Sequence, residues 1–354
     1  MTWTLPNFRT GDRVRVRSKE EILATLDADG CIDGMPFMPE MLQFCGQEVP
    51  VSSVAHKTCD TANRTGGRKL DRTVHLGDTR CNGRAHGGCD ADCLLFWKEA
   101  WLEPVKGAGN PSAGAATPAS PARAAHVAEA RLQAQTLASA PGEVPLRYKC
   151  QATQLYAASR PLAWWNIHQF FLDVRTGNVR AGELLRVVWL AMLYRLRELP
   201  LGFRVWDGIY RWMHRKLTGR DSPHIIGTLN MGDPTPATQL DLQPGERVYV
   251  KSANEIAATL NRNNKNRGIW VGPEQIPYCG GTFTVRRRVN QIINERTGEM
   301  MPMKTACITL ENALCRGHYS SGRIFCPRMI TPYFRELWLE RSNAPTGSTG
   351  DSPG

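Results

Sequence analysis

The sequence predicts an α+β chain: two related, small β-rich domains with Cys/His metal sites, separated by a disordered linker and a helical insert. Three observations carry this expectation. The stretch GDRVRVRSKEEILATL from Gly11 aligns without a gap on GERVYVKSANEIAATL from Gly245. Cysteines and glycines then recur in the same order after both stretches. Between them the composition shifts twice, first to Ala, Pro, Ser and Gly, then to a cationic, aromatic pattern of helical period.

The alignment holds a constant offset of 234 residues through Gly34 and Gly268, the Pro-Glu pairs ending at Glu40 and Glu274, and Cys45 and Cys279, with fifteen identical positions between Gly11 and Gly46. It returns at Cys81 with Cys315 and Gly83 with Gly317. Three extra residues in the second copy then pair Cys89 with Cys326 and FWKEAWLE with YFRELWLE. A register kept over such a distance marks an internal duplication, each copy close to domain size.

Each copy opens with RVRVR or RVYVK, whose strict alternation after a glycine turn is the pattern of a half-buried strand. SKEEILATL and SANEIAATL follow, with Ser at the cap, Glu three residues on and an apolar pair four apart, a capping box that starts a short helix. EVPVSSV and TFTVRRRVNQII read as further strands, the second running into the turn ERTGEM. A small barrel opening on GDRVRV or GERVYV resembles SH3-like β-barrel modules, here in duplicate. The resemblance covers about ten residues per copy and implies a fold and no particular activity.

These signals divide the chain into a first Cys/His-rich repeat at 1–106, a disordered linker at 107–144, a basic aromatic helical insert at 145–219, a connector at 220–241, a second Cys-rich repeat at 242–342 and a disordered tail at 343–354. The linker has too few large apolar groups to offset its ordering entropy by burial. In the insert, Arg160-Pro161, Thr176-Gly177-Asn178 and Leu199-Pro200-Leu201-Gly202 part four helical segments, expected to pack antiparallel.

The chemistry concentrates in the cysteines. CNGRAHGGCDADC places Cys81, His86, Cys89 and Cys93 within thirteen positions. Zn²⁺ asks for four soft or borderline donors in a tetrahedron, and a distant Cys beside a glycine closes such a site on a Gly-rich loop. The expected ligand sets are Cys45, Cys81, His86 and Cys89 in the first copy and Cys279, Cys315, His318 and Cys326 in the second. The two histidines do not align, because His86 falls opposite Ser320. Cys59, His75 and Cys93, peculiar to the first copy, are additional candidates, and four thiolates there also suit an iron–sulfur cluster or iron. Glu40 and Glu274 are candidate general bases or acceptors for a ligating His. The alternative reading to single ligands is buried thiols packed as small apolar groups.

Net charge is +11, and residues 145–219 hold twelve Lys and Arg against four acids. Arg186, Arg195, Arg197, Arg204, Arg211, Arg215 and Lys216, interleaved with Trp, Phe and Tyr, point to an anionic partner. Apolar groups clustered between the cations favour a membrane surface over nucleic acid. No signal peptide is read, since MTWTLPNFRTGDRVRVRSKEEI lacks an apolar core. The longest apolar run, Val187 to Tyr194, has eight residues, where a spanning helix takes about 20. The expected location is cytoplasmic, with peripheral membrane attachment, and eleven cysteines are read as thiols or ligands. The sequence shows no Walker loop, Gly-x-Ser-x-Gly or His-Glu-x-x-His. The expectation is thus a zinc-binding accessory or scaffold protein, with a metal-dependent hydrolytic or redox enzyme and a nucleic-acid-binding protein as alternatives.

Overall fold

The computed structural model describes residues 3, 5–105, 130–140, 142–197, 203–320 and 322–342, with the backbone alone at 203 and 204. The expected linker from 107 to 129 and the tail at 343–354 lie outside the described residues. The chain is mixed α+β with several small antiparallel sheets and divides into two units, 1–179 with 291–301, and 180–290 with 302–354.

In the first unit, β1 (Arg13–Val16) buries Val14 and Val16 fully while Arg15 faces outward onto Glu48 at 2.9 Å, as its alternation requires. The helix Lys19–Thr25 starts in the expected box: the Glu21 amide donates to Ser18 Oγ at 3.2 Å and the Ser18 amide to Glu21 Oε2 at 2.9 Å. After the hairpin β2 (Cys31–Ile32) and β3 (Met35–Pro36), a 3-10 helix at Pro39–Phe44 leads into β4 (Glu48–Val54). Then come β5 (Lys57–Asp60), β6 (Gly66–Lys69), β7 (Thr73–Leu76), β8 (Trp97–Lys98) and β9 (Leu102–Pro104).

The main sheet runs β8-β7-β4-β1-β9, and its core is centred on Val14, Val16, Ile22, Met35, Trp97 and Trp101. With β10 at Arg160–Leu162, a second sheet runs β10-β6-β5. Residues 130–135, placed by sequence in the disordered linker, form a helical turn whose Leu132 enters this core. Burial of one large apolar side chain is what the composition of that segment concealed.

The second unit repeats the strand order. Its strands are β11 (Arg247–Val250), β12 (Lys265–Asn266), β13 (Ile269–Trp270), β14 (Thr282–Ile293), β15 (Met300–Leu310), β16 (Phe334–Arg335) and β17 (Leu339–Arg341), the end of β14 from 291 and the start of β15 through 301 falling in the first unit. Its five-stranded sheet runs β16-β15-β14-β11-β17 around Val248, Val250, Ile256 and Trp338. Ser252 and Glu255 form the second capping box, on the helix Ala253–Ala257.

The expected barrel does not close. β8 and β9 lie at opposite edges of their sheet yet follow one another through the 3-10 turn Glu99–Trp101, as β16 and β17 do through Glu336–Trp338. The two edges are therefore joined by three residues of chain, and no ladder links them among the described residues. The helical insert is not one bundle either. Helices Gln151–Gln154 and His168–Arg175 belong to the first unit, while Ala181–Leu196 and Phe203–Thr218 belong to the second and pack on each other around Leu190, Leu193 and Tyr210. Among the described residues no helix is long and apolar enough to cross a membrane.

Candidate metal centre

Among the described residues, one group of three or more metal-ligating side chains gathers its donors: Glu40, Cys81 and His86, whose ligand atoms all lie within 4.8 Å of one another. Two elements of the first unit supply it. Glu40 projects from the 3-10 helix Pro39–Phe44, started by a proline whose missing amide costs nothing at a helix N-terminus. Cys81 and His86 sit on the loop that returns toward β8.

Gly83 makes that loop turn. Its φ of +72° suits glycine, and a Cβ there would stand 2.0 Å from the Cys89 carbonyl oxygen, so no other residue fits. The Gly83 carbonyl accepts the amides of His86 and Gly88 at 3.0 and 2.9 Å, and the Cys81 amide donates to Cys93 O at 2.9 Å. The loop thus holds Cys81 and His86 in place by backbone bonds.

Glu40 is buried and fastens the loop through one oxygen. Oε1 lies 2.7 Å from His86 Nδ1 and accepts the Ala85 amide at 3.0 Å. Oε2 is buried with no hydrogen-bond partner among the described residues. Burial alone raises a carboxyl, but the hydrogen bond and charge of His86, with the backbone amides, outweigh it and the Glu40 carboxyl is held below its ordinary value. His86 Nε2 faces the Lys149 carbonyl at 3.2 Å. Burial pushes the Cys81 thiol far up, and the neighbouring Glu40 charge adds to the effect.

The corresponding place in the second unit is built alike with one difference. Glu274 Oε1 accepts the Tyr319 amide at 2.6 Å and lies 3.2 Å from Ser320 Oγ, so Tyr319 and Ser320 stand where Ala85 and His86 stand. With a hydroxyl in place of the imidazole, burial wins and the Glu274 carboxyl is raised. Gly317, at a φ of +68°, lies against the Cys326 backbone as Gly83 lies against that of Cys89.

The other sequence-expected donors are not drawn into a group of three among the described residues. Cys45 caps the 3-10 helix and packs on the apolar core, burial pushing its thiol up to about 11. Cys89 is buried, its sulfur 3.4 Å from the Ile293 amide. Cys59 is buried on β5, Cys93 is half-buried, and His75 is a core histidine with Nδ1 2.8 Å from the Leu95 carbonyl. In the second unit Cys279 ends a 3-10 turn with its thiol raised to about 12 by burial, and Cys315 is half-buried and Cys326 buried. His318 turns to Glu183 at 3.2 Å and is pushed down to about 4 by burial first and by the nearby arginines Arg316 and Arg186.

The donor that spacing did not select as a ligand is Glu40, although its repetition as Glu274 singled it out as an acceptor for a ligating His. It lies five residues before Cys45 on the same 3-10 turn, and only the fold decides which of the two faces the loop. Comparison with known protein families, with curated proteins and with solved structures finds no match to this chain.

Proposed function

We propose that the chain is a metal-binding accessory or scaffold protein whose first unit holds one divalent cation, zinc by donor type, on Glu40, Cys81 and His86. The observation that carries this reading is the buried Oε2 of Glu40, without a hydrogen-bond partner among the described residues, beside a thiol and an imidazole. A carboxylate oxygen left without a partner in a buried place is expensive, and a cation satisfies it. Tetrahedral zinc at about 2.0–2.3 Å from each donor sets donors about 3.3–3.7 Å apart, within the spread of this group. Ligation through His86 Nδ1 requires loss of the hydrogen it shares with Glu40 Oε1.

The competing use of these three groups is a thiol nucleophile with its base and orienting acid. Nucleophilic cysteines carry lowered pKa values in electropositive surroundings, and Cys81 is shifted the other way. A bound cation reverses that shift by taking the thiolate directly. A second reading, a hydrolytic metal centre, draws support from the donor count, because three protein ligands leave a position for water. Displacement of that water by acetohydroxamate shifts the visible spectrum of the cobalt-substituted chain, and an unchanged spectrum removes the hydrolytic reading.

The two units are proposed to be copies of one SH3-like module. Supporting this are the common strand order, the paired capping boxes and the matching grips of Glu40 and Glu274. The helices Ala181–Leu196 and Phe203–Thr218 are proposed to recruit an anionic membrane surface. The first exposes Leu185, Trp189 and Met192 and the second Val205, Ile209 and Trp212, each a stripe at spacing four and three, beside Arg186, Arg195, Arg211, Arg215 and Lys216. Arg197 serves the helix pair instead, bonded to Asp207 at 2.8 Å and over the Tyr194 ring, and the Arg204 side chain lies outside the described residues.

The test is the metal content of the purified full chain by plasma mass spectrometry. The wild type is expected to carry about one zinc per chain, and Cys81→Ser and Glu40→Gln to lose it while keeping their helix content. A metal-free wild type, or variants that retain zinc, overturns the proposal.

A further inference from the structure

The second unit contains a cleft of about 1600 Å³, larger than a drug-sized pocket, that plays no part in the metal site. The end of the helix Phe203–Thr218, the following turn, and the starts of β11 and β14 wall it. Arg211, Arg215, Arg220 and Arg247 line it, against the carboxylates Asp221 and Glu311. Asp207 and Asp221 engage Arg211 and Arg215. Arg220 has no ion pair among the described residues, and Arg247 has a buried Nε with no partner there.

His214, another lining residue, is 1% exposed. Its Nδ1 lies 3.0 Å from the Arg220 carbonyl oxygen, which can only accept, and 3.2 Å from Thr218 Oγ1, whose own hydrogen goes to the His214 carbonyl at 2.7 Å, so Nδ1 carries the hydrogen. Burial disfavours the imidazolium and outweighs the Arg220 carbonyl and the Asp221 charge, which favour it, with Arg186 adding to the burial effect. Nε2 is therefore a bare lone pair, and it is buried with no partner among the described residues. An acceptor at His214 and a donor at Arg247, both buried and unsatisfied among the described residues, belong to side chains that line this cleft. The aromatic side chains of Tyr278, Phe283, Tyr319 and Trp212 line the same cleft.

A ligand that satisfies this set offers a hydroxyl to the imidazole, anionic oxygens to the guanidinium groups and a flat ring to the aromatic wall. We propose that the cleft binds a nucleotide, its phosphate against Arg220 and Arg247, a hydroxyl donating to His214 Nε2 and its base against the ring faces. Arginine forks replace the Gly-rich loop that the sequence lacks. Aromatic faces tolerate any base, so the class is fixed by phosphate, hydroxyl and ring together.

The experiment titrates the full chain by calorimetry with AMP, ATP, adenosine, inorganic phosphate and a 12-nucleotide RNA. AMP or ATP is expected to bind saturably at one site, with adenosine and phosphate each weaker. Arg247→Gln and His214→Phe each are expected to weaken that binding about tenfold. If His214→Phe loses helix content, Arg220→Gln takes its place with the same expected effect. Cys81→Ser, in the metal site, leaves nucleotide affinity unchanged, so the two proposals fail separately. Absence of saturable binding, phosphate binding as tightly as AMP, variants with wild-type affinity, or affinity for the RNA alone overturns the inference.

Discussion

Glu99 and Glu336 open equivalent 3-10 turns, both are buried, and their carboxyls shift in opposite directions. Glu99 accepts the Asn7 amide at 3.0 Å while its other oxygen is buried without a partner among the described residues, so burial prevails and its pKa rises. Glu336 accepts the amides of Leu240, Asp241 and Leu242 at 2.8, 3.3 and 2.9 Å and Arg288 at 2.7 Å. Burial again pushes up, but the amides and then the Arg288 charge outweigh it, and Glu336 is held below 4.5.

A depressed folded-state value contributes stability that is complete above the ordinary carboxyl range and is lost as pH falls through the lowered value. Glu336→Gln is therefore expected to destabilise the second unit by about 2 kcal/mol at pH 7, with the gap to wild type narrowing below about pH 4.5. Hydrogen exchange of peptides from β11, β14 and β17 reads this gap, and a gap that stays constant from pH 7 to pH 3.5 contradicts the account.

At the scale of elements, local pattern was legible and partner choice was not. The alternation of RVRV and RVYV, the two capping boxes and the long strand of TFTVRRRVNQII stand where the sequence placed them, because each is decided by residues within one turn or one strand. Arg160-Pro161 reads as a helix breaker, and the structure uses it as β10, pairing Pro161 with Arg68 on the edge of a sheet where a missing amide is tolerated. The helix pair of the second unit buries Leu190, Leu193 and Tyr210 and leaves Leu185 71% and Trp189 44% exposed. An exposed apolar stripe between cations is the interfacial signature. The full chain is expected to float with vesicles containing anionic phospholipid and not with zwitterionic ones, and Leu185→Ser with Trp189→Ser to reduce binding about tenfold or more. Equal flotation on both vesicle types, or a double variant that floats like the wild type, contradicts the membrane reading.

For the whole molecule, the composition and the recurrence of cysteines suggested two four-donor sites, and among the described residues one group of three donors lies together, in the first unit. The recurrence marks a shared loop architecture: Gly83 and Gly317 turn the loop, and Glu40 and Glu274 fasten it. Under the proposed metal reading, the difference between the two units rests on the single position where His86 meets Glu40 and Ser320 meets Glu274. Spacing reports which residues share a turn, whereas Cys45 goes to the core and Glu40 to the loop because of contacts made across the unit. X-ray absorption at the zinc edge of the as-purified chain tests the central claim most directly. One sulfur at about 2.3 Å with nitrogen and oxygen at about 2.0–2.2 Å is the predicted shell. Three or four sulfurs, or a shell of oxygen alone, contradicts it.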